Sequence, residues 1–284
     1  MPFAPMSQLL EDARRGGYAV PSFAVWNLET TKVILTVAER MGAPVILMSA
    51  PAEFSVLPPE DLGPASWEMI KRYKTVAALH LDHGDTLGIV ARCLESGYTS
   101  VMLDYSARPF DENAEALRKV VEMARPRGAS VEGELGKVGR ADDATGEGAK
   151  ESTLTDPDEA ALYVKRTGVD ALAVSIGNAH GRYSMLPKLD FDRLGDIYEA
   201  VRIPLVLHGG SGTPPDDLRR AISLGIAKVN VATDLVTPVR ESLLSQWKRQ
   251  GDYWTPLALS RAVSAMIPAV ERWIRLLGAE GRAG

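Results

Sequence analysis

Residues 204–212 read PLVLHGGSG, and KVNVAT follows at 228–233. In the first stretch four residues, mostly apolar, run straight into a histidine and a cluster of glycines. A near-continuous apolar run suits a parallel strand covered on both faces. The glycines mark where it must stop and turn. Working outward, the same grammar recurs along the chain. Strands are predicted at 19–25, 44–50, 76–83, 100–105, 130–136, 171–177, 204–210 and 228–233. The stretches between them read as helices, five of which stop at a glycine: Gly42, Gly97, Gly128, Gly168 and Gly225. Glycine tolerates the left-handed cap that ends a helix before a short turn. Helix starts are marked by Asn27, by Thr155-Asp156 before Pro157, and by Pro214-Pro215.

Eight alternating β and α units predict an α/β chain, a closed (β/α)8 TIM barrel forming one domain over 1–284. An open doubly wound sheet is the competing architecture, but no G-x-G-x-x-G follows the first strand. Beyond Thr233 two helical stretches, 235–249 and 257–277, exceed what a last barrel helix needs. The extra C-terminal helix makes 250–284 an expected appendage or oligomer contact.

Composition narrows the function. With 284 residues, 45% hydrophobic and 24% charged, the chain can bury a core. A formal net charge of −5 argues against nucleic acid as a partner. The single cysteine, Cys93, excludes a disulfide framework and a cysteine-built metal site. Glu11, Asp12, Arg14 and Arg15 stand where a signal peptide would be apolar, and no run approaches the ~20 apolar residues of a membrane helix. A cytoplasmic protein with a small-molecule partner and no membrane association is expected. One segment, 136–151 (GKVGRADDATGEGAKE), has four glycines and little apolar content. It reads equally as a mobile active-site loop or as an ordinary surface loop.

The chain has four histidines, and three adjoin glycine: Asp82-His83-Gly84, Ala179-His180-Gly181 and His208-Gly209-Gly210. They fall at or just past the ends of the third, sixth and seventh strands, which open on one mouth in a barrel. Three imidazoles without cysteine match a catalytic zinc site with one open position. His80 lies deeper in its strand and reads as structural. Asp82 is placed to act as general acid/base or to orient His83. Asp104, Glu132 and Glu134 are acidic where parallel strands are usually apolar. They line the mouth, take a second cation, or satisfy a buried Lys or Arg. The glycines after the seventh strand, with Asn230-Val231-Ala232-Thr233 before a helix start, form the usual place for a phosphate. A metal beside an anion pocket suits polarisation of a ketone during C–C cleavage. A lysine Schiff base is disfavoured, because the sixth strand has no lysine and Lys228 is read as beginning its strand.

These residues carry a resemblance to the class II, zinc-dependent fructose- and tagatose-bisphosphate aldolases, nearest the tagatose/ketose-bisphosphate branch. It spans nearly the whole chain and rests on LDHG (81–84), SVMLD (100–104), VEGELG (131–136), TDPDEA (155–160), TGVDALAVSIG (167–177), AHG (179–181), LHGGSG (207–212) and KVNVAT (228–233). The resemblance implies reversible aldol cleavage of fructose or tagatose 1,6-bisphosphate to dihydroxyacetone phosphate and glyceraldehyde 3-phosphate, through a zinc-stabilised enediolate. It implies that His83, His180 and His208 hold zinc, and that Asp82 moves the C4 hydroxyl proton. Gly181, Gly209, Gly210, Ser211 and Asn230, Val231, Ala232 and Thr233 would bind the dihydroxyacetone-phosphate half. Asp104 and Glu134 match a second metal position, and Na+ or K+ near the phosphate is typical. Relatives assemble as homodimers or homotetramers. The chain departs from the family pattern at Ala24, where asparagine is usual, and at Tyr105 and Asn178. It departs again in the loop, where Arg140 and Asp142 replace the usual residues and Asp142 would be the loop acid. These departures leave room for another phosphorylated ketose, or for a sugar-phosphate epimerase on the same scaffold.

Overall fold

A computed structural model describes residues 4–140, 152–181, 187–248 and 254–283. Asp142 and most of the 136–151 segment lie outside them. The eight expected strands are present: β1 (Val20–Ala24), β2 (Val45–Ser49), β3 (Ala77–Gly84), β4 (Ser100–Leu103), β5 (Ser130–Leu135), β7 (Ala171–Val174), β9 (Leu205–Leu207) and β10 (Ile226–Val231). They close in the order β1-β10-β9-β7-β5-β4-β3-β2, every pair parallel. The fold is a (β/α)8 barrel. Two further short strands, β6 (Gly139–Arg140) and β8 (Ala179–His180), pair in parallel with Arg140 opposite His180. The start of the glycine-rich segment is thus tied to a histidine of the mouth, a pairing its polar composition did not reveal.

The helices that separate the strands are α2 (Leu28–Met41), α3 (Pro59–Ile70), α4 (Leu87–Glu95), α5 (Phe110–Ala124), α6 (Pro157–Thr167), α7 (Phe191–Val201) and α8 (Pro215–Ser223). Their starts follow the expected chemistry. Asn27 accepts from Thr30 N while Thr30 Oγ1 accepts in return, and the Asp156 carboxylate accepts from Asp158 N and Glu159 N ahead of Pro157. Two features depart from the sequence reading. Helix α1 (Met6–Gly16) was not foreseen. It packs against β1, β3, β5 and β10, its Ser7 N–H donating to Ser130 Oγ at the start of β5. Among its described residues the tail forms three helices rather than two: α9 (Thr233–Trp247), α10 (Thr255–Ser264) and α11 (Ile267–Leu276). Both α10 and α11 pack on α2, and Leu277 O accepts from Ala19 N just ahead of β1.

Strand register sorts the interior into layers. Lys228 pairs with Val20 and Asn230 with Ser22, while Met48 pairs with His80. Because side chains alternate, His80 and Asp82 share the inward face of β3, Glu132 and Glu134 that of β5, and Lys228 and Asn230 that of β10. Strand β10 begins at Ile226, two residues before the expected start, so Lys228 lies inside the barrel. No described helix is long and apolar enough to cross a membrane.

Candidate active site

The three glycine-flanked histidines converge. Ring centroids are 4.7 Å apart for His83 and His208, 5.0 Å for His83 and His180, and 5.7 Å for His180 and His208. Each offers a ring nitrogen, and these lie within 4.8 Å of one another. The nitrogens His83 Nε2, His180 Nε2 and His208 Nδ1 are buried without a hydrogen-bond partner. One such atom is costly, by ~1–3 kcal/mol. Three facing each other form a donor set for a divalent ion, and the residues fit zinc.

On two of the three rings the other nitrogen is committed, which fixes those imidazoles. His83 Nδ1 lies 2.8 Å from Asp104 Oδ2, and His208 Nε2 lies 2.8 Å from Glu132 Oε1. Metal-binding imidazoles commonly use such a carboxylate on the far nitrogen. Asp104, expected as a second-metal ligand, is therefore engaged with His83, and its Oδ1 accepts from Ser106 N and Oγ. It still stands with His83 and Glu134 in a compact group able to hold an ion. Glu134 Oε2 comes within 3.0 Å of His208 Nδ1 but out of hydrogen-bond alignment.

Backbone shape explains how consecutive Asp82 and His83 both reach the mouth. The β3–β4 register shifts between Leu81 and Gly84, and His83 adopts a left-handed φ of 45°. A non-glycine residue held there costs ~1–2 kcal/mol, strain of the kind found at functional sites. Asp82 is then free of the orienting duty that Asp104 performs. Its Oδ1 accepts from Asn230 Nδ2 at 2.8 Å, and its Oδ2 lies 4.0 Å from His83 Nε2. Burial opposes its ionisation, but His83, His208, Lys228 and His80 prevail and hold it down at about 2. Burial, with the neighbouring imidazoles, depresses His180 to about 3. His208 is likewise penalised by burial, yet Glu132 and Glu134 lift it to about 10. That carboxylate field favours a cation at the trio.

Glycine chemistry brings the ligand segments together. Gly209 has φ +68°, and a Cβ there would fall 1.9 Å from Ala179 O. The His208 turn can touch the His180 strand only without a side chain. At Gly210 a Cβ would meet Val229 Cγ1 at 2.4 Å, and its N–H donates to Asn230 O. Gly210 therefore serves close packing of β9 against β10, with its N–H already spoken for. Asn178 completes the clasp, accepting from Ile176 N at 2.9 Å and donating to His208 O at 3.0 Å. Beside this clasp Ser211 Oγ accepts from Asp234 N, 3.3 Å away, in the first turn of α9. Ala232, the residue before α9, makes no side-chain cap, so Ser211 is the side chain that reaches the first turn of this helix, an end whose free N–H groups favour negative charge. The Asp234 carboxylate is tied instead to Trp273 Nε1 and Arg272. Gly181, with φ 90°, follows His180 directly, and Val231 is buried in the core.

Sequence reasoning did not find the roles of Asn178, Asn230 and Lys228. Lys228 is fully buried, with Nζ 2.8 Å from Glu132 Oε2 and 3.4 Å from His80 Nε2. It answers the need of Glu132 for a buried basic partner. His80 keeps its structural reading, Nδ1 lying 2.8 Å from Ser100 Oγ. Burial and Lys228 push it down to about 3.

Fold and site together define a (β/α)8 barrel with three converging histidines able to hold a metal ion and a buried carboxylate beside them. The family model for class-II fructose-bisphosphate aldolase matches residues 4–282, and the chain belongs to that family of lyases. It is 40% identical over 275 residues to the D-tagatose-1,6-bisphosphate aldolase subunit GatY of Klebsiella oxytoca, covering 96% of this chain and 97% of the relative. Among solved structures, the YdjI aldolase of Escherichia coli K12 superposes with a TM-score of 0.88 at 34% identity, covering 99% and 100% of the two chains. Fructose-bisphosphate aldolase of Campylobacter jejuni shares the fold with a TM-score of 0.83 at 23% identity, covering 98% and 96%.

Proposed function

We propose that the protein is a zinc-dependent ketose-1,6-bisphosphate aldolase that cleaves its substrate to dihydroxyacetone phosphate and glyceraldehyde 3-phosphate. Tagatose 1,6-bisphosphate is the first candidate, because the relative 40% identical is named for that sugar. The observation that carries the reading is the set of three unpartnered ring nitrogens facing one another beside Asp82.

His83, His180 and His208 would hold the ion, which supplies a Lewis acid for the substrate's ketone. Ser211, the N-terminus of α9 and the glycine turn bind the C1 phosphate. Asp82, held ionised by its cationic surroundings, accepts the proton from the C4 hydroxyl. The C4 oxygen becomes the aldehyde carbonyl as the C3–C4 bond breaks, and that bond's electron pair passes towards the C2 carbonyl oxygen. Asn230 keeps Asp82 aimed during the transfer. Returning a proton to C3 completes the ketone product, and Asp142 is proposed for that step. A second cation at His83, Asp104 and Glu134, a monovalent ion by the phosphate, a homodimeric or homotetrameric assembly and a cytoplasmic location belong to the same reading.

The test is metal analysis joined to a cleavage assay on tagatose and fructose bisphosphates. About one zinc per chain and metal-dependent release of two trioses are expected. A product that keeps all six carbons would replace cleavage with epimerisation. Absence of metal-dependent turnover on either sugar would defeat the proposal.

A further inference from the structure

Beneath the histidine trio lies a second cluster, His80, Asp82 and Glu132, compact enough for an ion and buried throughout. Its charge is met by the chain itself. Lys228 Nζ lies 2.8 Å from Glu132 Oε2 and 3.4 Å from His80 Nε2, with no exposed side-chain surface. The other oxygen of Glu132 lies 2.8 Å from His208 Nε2. A continuous path therefore runs from Lys228 through one carboxylate to a ligand of the metal centre. The lysine is sealed below the mouth, so a Schiff base with a ketose is not its use. A carboxylate buried at zero exposure is costly without a counter-charge. Without Lys228, Glu132 would lose the partner that fixes its carboxylate against His208.

We infer that Lys228 is a positioning residue for the metal centre. Its ammonium pins one oxygen of Glu132, the other oxygen of Glu132 holds His208 through Nε2, and Nδ1 is left as the nitrogen that the ring offers to a metal beside His83 and His180. A histidine binds metal through one nitrogen only if its other nitrogen carries the proton, and the partner of that proton fixes the choice. The inference rests on the metal-centre reading above.

Zinc affinity, measured by competition with a chromophoric chelator, tests it. The unaltered protein is measured first; if it binds no zinc, the metal-centre reading fails rather than this refinement. Given zinc binding, Lys228→Met should weaken affinity about 10- to 100-fold, the usual scale for outer partners of metal ligands. Glu132→Gln should weaken it as well, and adding Lys228→Met to that variant should change affinity less than about twofold, since the lysine then has no carboxylate to hold. Equal losses in both backgrounds, or unchanged affinity in folded Lys228→Met, would overturn the inference. Should the variants fail to fold, 15N NMR of histidine in the zinc-loaded natural protein decides. His208 should show a protonated Nε2 and a metal-bound Nδ1, and the opposite pattern would overturn it.

Discussion

Asn230 Nδ2 donates to Asp82 Oδ1 across 2.8 Å, joining β10 to β3 with β1 and β2 between them in the ring. The bond spans the barrel interior and leaves Asp82 Oδ2 on the side of His83. Replacing Asn230 with alanine should leave zinc content near normal while lowering kcat by ~10–100-fold, because proton transfer depends on aim. Metal analysis beside steady-state kinetics checks the split. Loss of zinc in step with activity would give Asn230 a wider structural role.

Asp82 itself should behave differently from the histidines. Asp82→Asn preserves shape and an acceptor for Asn230 but removes the base. A fall in kcat of ~10²–10⁴ is expected with zinc retained. His208→Ala removes a ligand, and the metal should go with it. Metal content of the two purified variants separates the roles, and full zinc in His208→Ala would refute the ligand assignment.

Lysine chemistry predicts an absence that can be measured. Lys228 lies inside the barrel but is fully buried and engaged with Glu132. Borohydride added with substrate should trap no adduct on it, whereas a chelator should abolish turnover. Mass spectrometry of the treated protein reads this directly. A reduced adduct on Lys228 would overturn the metal route.

The turn at Gly209 couples two ligands. Alanine there would meet Ala179 O at 1.9 Å and would sit at φ +68°. The backbone strain alone is ~1–2 kcal/mol, and relieving the clash moves His180 away from His208. Gly209→Ala should lower Tm and reduce zinc affinity more than activity per bound zinc. Calorimetry and metal titration check this, and a variant with unchanged affinity would separate the turn from the centre.

What the sequence revealed and what it concealed follow from how local each cause is. The barrel was legible because each strand is a short apolar run between glycine and helix signals. The ligands were legible because each is flanked by the glycine its tight turn requires. The role of Asn230 depends on a residue 148 positions away. Asn178 resembled an unexplained replacement until its amide was seen to grip His208 O. Lys228 was misplaced because the two residues before it, Ile226 and Ala227, are too short a run to announce a strand. Helix α1 is hard to see in the sequence because Glu11, Asp12, Arg14 and Arg15 dominate its composition, although its Met6, Leu9, Leu10 and Ala13 face the core.

Stripping the metal should expose opposed titrations. His80 and His180 are depressed from 6.5 to about 3, chiefly by burial. Between those limits the unfolded chain binds protons that the folded chain refuses, so their stability is present above 6.5 and is lost as pH falls through the window. His208 runs the other way. Burial pulls it down, but Glu132 and Glu134 raise it from 6.5 to about 10, so its contribution is full below 6.5 and fades as pH climbs towards 10. Metal-free protein should therefore be most stable near pH 6.5, with the urea midpoint falling on either side. Zinc requires a neutral Nδ1 on His208, so saturating metal should remove the alkaline decline while preserving the acid one. A metal-free midpoint that rises steadily from pH 6 to pH 9 would mean that the carboxylate pair does not hold a proton on His208.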